Sequence, residues 1–531
     1  MPARIWIQSS NRSRETSLSS AQETVKHPLN PLFILGFCLL VSFSLLLIST
    51  KSSPLYPLND WGDANAYFTM GKGMMNGKVL YRDLFEQKGP LLYFIHGLSY
   101  LISSRSFLGV FIFETFSFSF FLFFSYKLIS LFFEPKYALI WLPIIAVVIL
   151  NLKSFTHGDS AEEFCLPFLA FSLYSLFDYF KNVYPRPISD KWVFWNGVVA
   201  GCVLWIKFSL LGFWFGWIVS ICICLLVNKQ TFLAIKKSLL FLSGMAAATL
   251  PWLGYFGISH AIPEWINTYL LVNVTDYPNN LSVLPLFHFI LSVILFQVKE
   301  NPIFNVCLGL GIIFFMLSNK IIKSLLHRIL LLFCFLSLFL GIYAGGRGFI
   351  YYYLILAPFL LLGILVLQDA INTEFKKGIP AKTAEIIALV IFILTLPLNT
   401  WLNQNSYMLS WKKQEMVQYK FASIIDRSKN PTLLNYGSLD IGLYTTTGII
   451  PNTRFFEGQN IDPSRFPMVV EAQNQYIKNK AIEYIVIMLP PSETLESQQI
   501  PFLLDNYKLL DSERQNFENT DFSYFLLKRI D

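Results

Sequence analysis

Residues 59–90 read NDWGDANAYFTMGKGMMNGKVLYRDLFEQKGP and follow the first long apolar run of the chain. This short segment concentrates charged side chains in a protein whose other residues are mostly apolar. They include Asp60, Asp63, Arg82, Asp83, Glu86 and Lys88. We therefore expect the functional groups of the protein to lie in this loop.

The composition is typical of a polytopic α-helical membrane protein. Hydrophobic residues make up 54% of the 531 residues and charged residues 14%, and the mean hydropathy is +0.50. A soluble domain carries about 25% charged residues. The net charge of +7 is small for this length and does not indicate nucleic-acid binding. All seven cysteines fall within or beside apolar segments, which argues against a disulfide framework.

A helix that crosses the hydrocarbon core needs about 20 apolar residues, or somewhat fewer with suitable flanks. Two further apolar stretches, 91–103 and 283–298, are shorter or flanked by polar loops on the same side, and we interpret them as interfacial or re-entrant helices. The eleven predicted spans are 31–50, 106–132, 137–153, 164–180, 192–206, 208–227, 238–257, 302–318, 329–344, 351–367 and 384–400.

Every second connection between these spans is rich in Lys and Arg, as the positive-inside rule requires of cytoplasmic loops. The polar leader 1–30 and the connections holding Lys181, Lys229, Lys320 and Lys376 are then cytoplasmic. The loop quoted above and the C-terminal residues lie on the outer face. We expect a multi-pass protein of a bacterial plasma membrane with a cytoplasmic N-terminus.

Residues 405–531 have the composition of a soluble domain. Strand-like runs at 432–436, 484–488 and 522–528 surround a predicted helix at 466–480, which indicates a small extracytoplasmic α/β domain. The predicted organisation is thus a cytoplasmic leader 1–30, a transmembrane domain 31–404 with an outer loop 51–105, and the soluble domain 405–531.

Asp63 stands at the start of a predicted amphipathic helix, 64–76, where exposed backbone N–H groups favour an acid. It is either a helix cap or a functional carboxylate, and Asp60 would cap equally well. The presence of further polar residues on the same side of the membrane favours the functional interpretation. These are Tyr81, Arg82, Asp83, Glu86 and Lys88.

A second polar group opens a later span, in the sequence SFTHGDSAEEFCLP of residues 154–167. Its acids, Asp159, Glu162 and Glu163, can simply offset a helix dipole. A single His with carboxylates also suits several divalent ions. His157, Asp159 and Glu163 are therefore candidate metal ligands, and a divalent metal ion is the one cofactor that remains open.

Lys207 and Arg347 lie at the outer ends of spans in this topology. Long cationic side chains at helix ends often reach the interface without any ligand, but a phosphate would suit Arg347 among its flexible glycine neighbours. Carboxylates and cations around one outer cavity fit the transfer of a group from a lipid-linked phosphate. A carboxylate would take the proton of the acceptor hydroxyl, and Lys, Arg or a metal would stabilise the departing phosphate.

These motifs resemble the GT-C glycosyltransferases, in particular the bacterial relatives of protein O-mannosyltransferases and of the aminoarabinose transferase (glycosyltransferase family 39 / RgtA-B-C-D-like). In that family an Asp follows the first span, a phrase like YRD-x-F-x-x-K-x-P comes later in the same loop, and an acidic motif opens a later span. The resemblance covers residues 31–400 and implies a GT-C membrane fold. The matching residues are Asp63, then Tyr81, Arg82, Asp83, Phe85, Lys88 and Pro90, then Glu162 and Glu163.

By this resemblance Asp63 is the catalytic base or the carboxylate that orients the acceptor, Lys88 contacts the donor phosphate, and Glu162 or Glu163 is the second acid. Where the aminoarabinose transferase has Glu directly before its Lys, this chain has Gln87, which speaks against a metal site built on that Glu. Further candidates are Arg82, Lys207 and Arg347 for the phosphate, with Asp60, Tyr81, Asp83 and Glu86 in support.

The sequence predicts an integral-membrane glycosyltransferase that moves a sugar from a polyprenyl-phosphate donor to a glycan, lipid or protein acceptor at the outer face. The main alternative is a transporter or flippase of amphiphilic substrates, which the span count and the intramembrane Glu114 would suit. No clear internal repeat is present and most charges gather at one face, which favours the enzyme. A third hypothesis, a receptor built on the C-terminal domain, leaves the first outer loop without a role.

Overall fold

The computed structural model of the chain describes residues 30–374, 378–517 and 520–530. The predicted leader, apart from Asn30, lies outside the described residues. So does Lys376, whose charge supports the predicted orientation.

A helical bundle makes up the first three quarters of the chain. Short 3₁₀ or π segments join several of its helices, at Lys153–Phe155, Tyr179–Val183, Phe208–Leu211, Ile266–Leu271 and Ile350–Phe359. The helices are α1 (Pro31–Ser49), α2 (Gly62–Met75), α3 (Pro90–Ile102), α4 (Leu108–Phe132), α5 (Pro135–Leu150), α6 (Ala161–Asp178), α7 (Asp190–Lys207), α8 (Gly212–Val227), α9 (Thr231–Ile258), α10 (Ile262–Trp265), α11 (Val272–Thr275), α12 (Val283–Glu300), α13 (Pro302–Leu317), α14 (Leu325–Tyr343), α15 (Leu360–Glu374) and α16 (Ala381–Leu402).

The bundle has the helices that a polytopic membrane protein needs, and each predicted span falls on one of them. Among the described residues, eight helical stretches are long and apolar enough to cross a membrane, and α3, α5 and α13 are shorter apolar helices. Helix α6 is 18 residues long but carries acids in its first turn and at its end. The count of eleven spans stays a prediction.

Several loops gather at the end of the bundle that also carries the C-terminal residues, which we call the domain-bearing face. The rings of Trp61 and His157 stack there with centroids 4.7 Å apart, and Asn405 Nδ2 donates to the Ser49 carbonyl over 2.7 Å. The polar loop after α1 and the acidic segment before α6 therefore meet at one face. That this face is the outer one stays a prediction.

Helix α12 runs across the domain-bearing face. Its length and apolarity would suit a span, but both of its ends contact this face. Before the helix, Asn279 N donates to Gly345 O over 2.9 Å, and after it Asn301 Oδ1 accepts from Lys153 N over 2.7 Å. Both ends of α12 thus lie at the same face, and its assignment as an interfacial or re-entrant helix stays a prediction.

The residues after α16 form a small α/β unit with a sheet of strand order β1-β2-β4-β3. Its elements are α17 (Val417–Ile425), β1 (Leu433–Tyr436), α18 (Leu443–Thr447), α19 (Met468–Lys478), β2 (Tyr484–Leu489), α20 (Leu503–Asn506), β3 (Tyr507–Phe517) and β4 (Thr520–Arg529). Strands β1 and β2 are parallel, and β4 is antiparallel to both of its neighbours.

The three predicted strands and the predicted helix are present in the α/β unit, whereas β3 was not expected. Its polar sequence, YKLLDSERQNF, and a register shift between Leu509 and Asp511 hide the alternation of a strand.

The α/β unit docks on α2 through buried polar contacts. Thr69 Oγ1 donates to Asp440 Oδ2 over 2.7 Å, and Lys72 Nζ donates to the Tyr444 carbonyl over 2.6 Å. Since buried polar groups need partners, these bonds fix the unit over the loop that follows α1.

Helices α2 and α3 approach each other closely at Gly71 and Gly97. A Cβ added to Gly71 would lie 2.4 Å from Gly97 N and 2.6 Å from Tyr93 O. Backbone atoms cannot yield as the end of a side chain can, so a glycine is required at position 71 for this packing.

We therefore expect Gly71→Ala to lower the stability of the detergent-purified protein by about 1–3 kcal/mol, because the added methyl overpacks the crossing. Gly36→Ala is the matched control, since nothing lies within 4 Å of a Cβ there. Thermal unfolding monitored by circular dichroism compares the two. Equal melting temperatures for both variants would contradict the close packing of α2 on α3.

Candidate functional site

Two cavities lie at the domain-bearing face, and Tyr351 and Tyr352 of the segment Ile350–Phe359 line one each. The first, of about 500 Å³, is lined by Asp60, Asp63 and Asp440, and we call it the carboxylate cavity. The second, of about 520 Å³, is lined by Lys88, Lys207 and Arg347, and we call it the cationic cavity. Among the described residues, no Lys or Arg lines the first and no Asp or Glu lines the second. Acidic residues that are distant in sequence therefore line one cavity, and basic residues line the neighbouring one.

Asp63, in the first turn of α2, is 5% exposed and lines the carboxylate cavity. The hydroxyls of Tyr351 and Tyr67 donate to its Oδ2 over 3.0 and 3.2 Å, and Asn460 Nδ2 lies 3.5 Å from its Oδ1. The cap position of α2 is Trp61, which makes no side-chain cap bond. Capping therefore does not account for Asp63.

Asp60 lines the same cavity but is part of a buried ion pair. Its Oδ1 lies 2.8 Å from Lys51 Nζ, and both side chains are 1% exposed. The Lys51 ammonium therefore occupies the Asp60 carboxylate, which is less available to a ligand in the cavity. The only described polar contacts of Asp63 are with neutral hydroxyl and amide groups. The two acids thus differ in their surroundings, and the sequence-based preference for Asp63 over Asp60 as the base stays a prediction.

The YRD phrase forms a tight turn that positions Lys88. Tyr81 adopts a left-handed φ of 67°, which costs a non-glycine residue about 1–3 kcal/mol, and its hydroxyl donates to the Lys88 carbonyl over 2.6 Å. Asp83 closes the turn by accepting a backbone N–H over 2.7 Å. Arg82 points elsewhere, to Asp83 and the Ser259 carbonyl, and does not line the cationic cavity. Of the four predicted phosphate ligands, Arg82 is the one that the structure does not bring to this cavity.

Lys88 is held in place by Glu86. Its Nζ lies 3.5 Å from Glu86 Oε1, and the other oxygen of Glu86 accepts from the Tyr93 hydroxyl. Burial lowers the pKa of Lys88, but the Glu86 and Asp63 carboxylates outweigh burial and hold this pKa above its usual value. The ammonium is therefore charged at neutral pH. It lies 5.4 Å from the centre of the Tyr67 ring, whose hydroxyl contacts Asp63.

The other two cations lie at the C-terminal end of α7 and just after α14. Lys207 Nζ lies 2.5 Å from Glu162 Oε1 and 3.3 Å from the centre of the Tyr352 ring. Arg347 Nε donates to the Tyr277 carbonyl over 2.8 Å, and its guanidinium lies 4.5 Å from the centre of the Tyr277 ring. No direct ion pair of Arg347 is present among the described residues, although its charge acts at longer range on Asp462. Lys88 and Lys207, by contrast, each pair directly with a carboxylate.

Three adjacent tyrosines of the segment Ile350–Phe359 contact different parts of the protein. It is a 3₁₀ helix, in which three residues make a turn, so that consecutive side chains point about 120° apart. Tyr351 lines the carboxylate cavity and Tyr352 the cationic cavity, while the Tyr353 hydroxyl donates to Asn305 Oδ1. A run of 10 residues is long for this helix type.

The acids before and at the start of α6 line neither cavity. Glu162 is paired with Lys207, and its predicted role as the second acid stays a prediction. Glu163 is buried, as are Asp159 and Glu114. Asp159 Oδ1 lies 2.9 Å from His96 Nε2, and Asp159 N donates to Glu114 Oε1 over 2.7 Å. These acids form a buried polar cluster behind the cavities.

The candidate metal ligands do not converge. His157 stacks on Trp61 and lines the carboxylate cavity, whereas Asp159 pairs with His96. Within residues 30–374, 378–517 and 520–530, no group of three or more His, Cys, Asp or Glu side chains is arranged to hold a metal ion. Burial holds the pKa of His157 well below its usual range, so its ring is neutral at physiological pH.

Tyr67, Tyr351, Tyr352 and Asn460 were not expected from the sequence. For Tyr351 and Tyr352 a signal existed, because the run YYY after Arg347 places three hydroxyls at the end of an apolar span. For Asn460 there was none, since it meets Asp63 across 397 positions of the chain.

The chain is similar to one known protein family and to several solved structures. The family model of the competence-induced Ccs4 N-terminal domain matches residues 21–407, and none of the curated proteins matches the chain. Two structures of ArnT from Cupriavidus metallidurans, one bound to undecaprenyl phosphate and one in the apo state, share a TM-score of 0.59 with this chain at 12% and 11% identity. Each match covers 93% of this chain and 97% of ArnT. Archaeal AglB from Archaeoglobus fulgidus, an oligosaccharyltransferase solved with an inhibitory peptide and a dolichol-phosphate, aligns at a TM-score of 0.48 and 11% identity over 93% of this chain and 74% of AglB.

The likeness to ArnT over nearly the full length of both chains confirms the predicted GT-C fold. It includes the helical bundle and the small C-terminal sheet that the sequence predicted.

We expect Lys51→Met to destabilise the protein by about 3–5 kcal/mol, because it leaves the buried Asp60 carboxylate without its counter-ion. The double variant Lys51→Met/Asp60→Asn should recover most of this loss. Lys320→Met is the control, since Lys320 pairs with Asp369 at a largely exposed site, where an ion pair contributes about 0–1 kcal/mol. Equal thermal stability of the two single variants would contradict the buried pair.

Proposed function

The chain belongs to the competence-induced Ccs4 N-terminal domain family, and we propose that it is a membrane glycosyltransferase whose donor is a sugar linked to a polyprenyl phosphate. The fold supports this class, because the similar ArnT structure is one of a complex with undecaprenyl phosphate. The acceptor is a glycan, lipid or protein at the domain-bearing face, which we propose is the extracytoplasmic face of a bacterial plasma membrane. Residues 405–531 then form an extracytoplasmic domain over the site.

The observation that carries this proposal is the separation of charge between the two cavities. A phosphate needs cations and hydrogen-bond donors, which Lys88, Lys207 and Arg347 supply together in the cationic cavity. A base for an acceptor hydroxyl needs a carboxylate that is not already neutralised. Asp63 is such a group and lies on the other side of the tyrosine pair.

In the proposed reaction the acceptor hydroxyl approaches from the carboxylate cavity. Its oxygen forms a bond to the anomeric carbon of the sugar as the bond from that carbon to the phosphate oxygen breaks. The electron pair of the broken bond leaves with the polyprenyl phosphate, and the hydroxyl proton passes to Asp63. Lys88, Lys207 and Arg347 stabilise the additional negative charge on the phosphate.

Glu86 and Glu162 are positioning residues in this scheme. Each holds a lysine of the cationic cavity at a fixed place, at 3.5 Å for Lys88 and 2.5 Å for Lys207. Because each lysine already has a carboxylate, Arg347 provides the charge that a phosphate would otherwise lack. Tyr67 and Tyr351 hold Asp63 by two hydroxyl donors.

Asp63→Asn should reduce sugar transfer by about 10²–10⁴-fold, because it removes the proton acceptor. The measurement uses the purified protein with a panel of polyprenyl-phosphate sugars and follows release of the lipid phosphate by mass spectrometry. Asp505→Asn, at an exposed position of the α/β unit, is the matched control and should keep full activity. A fully active Asp63→Asn would refute the role of Asp63.

Arg347→Gln should weaken the binding of undecaprenyl phosphate by about 10–100-fold, which corresponds to the loss of a charge-assisted hydrogen bond. Lys299→Gln introduces the same side chain at an exposed site of α12 and should leave the affinity unchanged. Binding of the labelled lipid to both variants in detergent gives the comparison. An unchanged affinity of Arg347→Gln would place the phosphate outside the cationic cavity.

A further inference from the structure

The lining of the carboxylate cavity favours acceptors that carry no negative charge. Its acidic residues are Asp60, Asp63 and Asp440, and no described Lys or Arg lines it. Lys51, which neutralises Asp60, is itself buried behind that residue, with its side chain 1% exposed. An anionic group that entered this cavity would meet the charge of Asp63 without a cation to offset it, and such like-charge contacts are unfavourable.

Asp440 is a second carboxylate of the cavity wall, and donors from both the bundle and the α/β unit hold it in place. It is fully buried, and burial raises the pKa of its carboxyl group. Its Oδ1 accepts from Gly442 N over 2.9 Å and its Oδ2 from Thr69 Oγ1 over 2.7 Å. It therefore shapes the cavity wall from the α/β unit, while Asp63 lines the cavity from α2.

The α/β unit contributes most of the amide groups of the cavity. Gln418, Gln459 and Asn460 all line it, and amides both donate and accept hydrogen bonds. The rings of Trp61 and Tyr524 line the same space. Amides, carboxylates and aromatic rings match a ligand that is rich in hydroxyls and has apolar ring faces. The volume of about 500 Å³ lies within the range of roughly 300–1,000 Å³ that is usual for small-molecule sites.

We propose that the carboxylate cavity takes a glycan acceptor that is neutral or carries amino groups. The charge of Asp63 disfavours anionic glycans, and the α/β unit, through Gln459 and its neighbours, supplies the hydrogen-bonding wall that holds the acceptor beside Asp63. This inference rests on the proposed function, because it assigns the acceptor side of the same reaction. It gives the C-terminal unit a role in acceptor choice, separate from the donor phosphate in the cationic cavity.

The test measures glycan binding to the full-length purified protein without any donor. The probes are oligosaccharides of matched length in three classes: neutral, with free amino groups, and with uronate, sulfate or phosphate groups. We expect neutral or amino-bearing probes to bind at least tenfold more tightly than every anionic probe. Gln459→Lys should lower the ratio of the affinity for neutral or amino-bearing probes to the affinity for anionic probes at least tenfold, because it places a cation at the cavity wall. Gln498→Lys, at an exposed position of the same unit, should leave the ratio unchanged.

Tighter or equal binding of anionic probes by the unaltered protein would overturn the inference. So would an absence of binding to every probe class, or an equal effect of the two lysine variants. Binding of undecaprenyl phosphate is measured on the same preparation. If the unaltered protein neither binds the lipid nor transfers sugar, the proposed function is refuted. If it binds the lipid but does not prefer neutral or amino-bearing glycans over anionic ones, only this inference is refuted.

Discussion

Two neighbouring tyrosines of one 3₁₀ segment keep charges of opposite sign in separate chambers. The Tyr351 hydroxyl donates to Asp63, and the Tyr352 ring lies 3.3 Å from the Lys207 ammonium. Without this separation Asp63 could pair directly with Lys207, and its carboxylate would then be less available to an acceptor. The helical geometry that turns consecutive side chains by about 120° allows adjacent residues to serve both sides.

The charges themselves are retained by a set of local partners. Lys51 neutralises Asp60, Glu86 holds Lys88, and Glu162 holds Lys207, each within 3.5 Å. Because unpaired buried charges are costly, these pairs stabilise the loop and the ends of α6 and α7. Asp63 and Arg347 make no direct ion pair among the described contacts, although Asp63 acts at longer range on Lys88 and Arg347 on Asp462. Each therefore keeps hydrogen-bonding positions open to a substrate.

Those features of the fold that depend on a local sequence pattern could be predicted from the sequence. Apolar runs predicted the helices of the bundle, and the order Asp63, YRD, Lys88 predicted the GT-C fold. The sequence was insufficient where distant residues meet. Asn460 contacts Asp63, and Arg82 turns away from Lys88 although both belong to one motif. The ion pair of Asp60 was not predictable either, because its partner, Lys51, has no distinguishing sequence context. Strand β3 was missed because its polar residues mask the alternation.

The central claim is that a lipid phosphate and an acceptor occupy different cavities on the two sides of the tyrosine pair. A cryo-electron microscopy structure of the full chain with undecaprenyl phosphate tests it most directly. The account predicts phosphate density in contact with Arg347, Lys88 and Lys207, and none beside Asp63. Phosphate density in the carboxylate cavity, or away from both cavities, would contradict it.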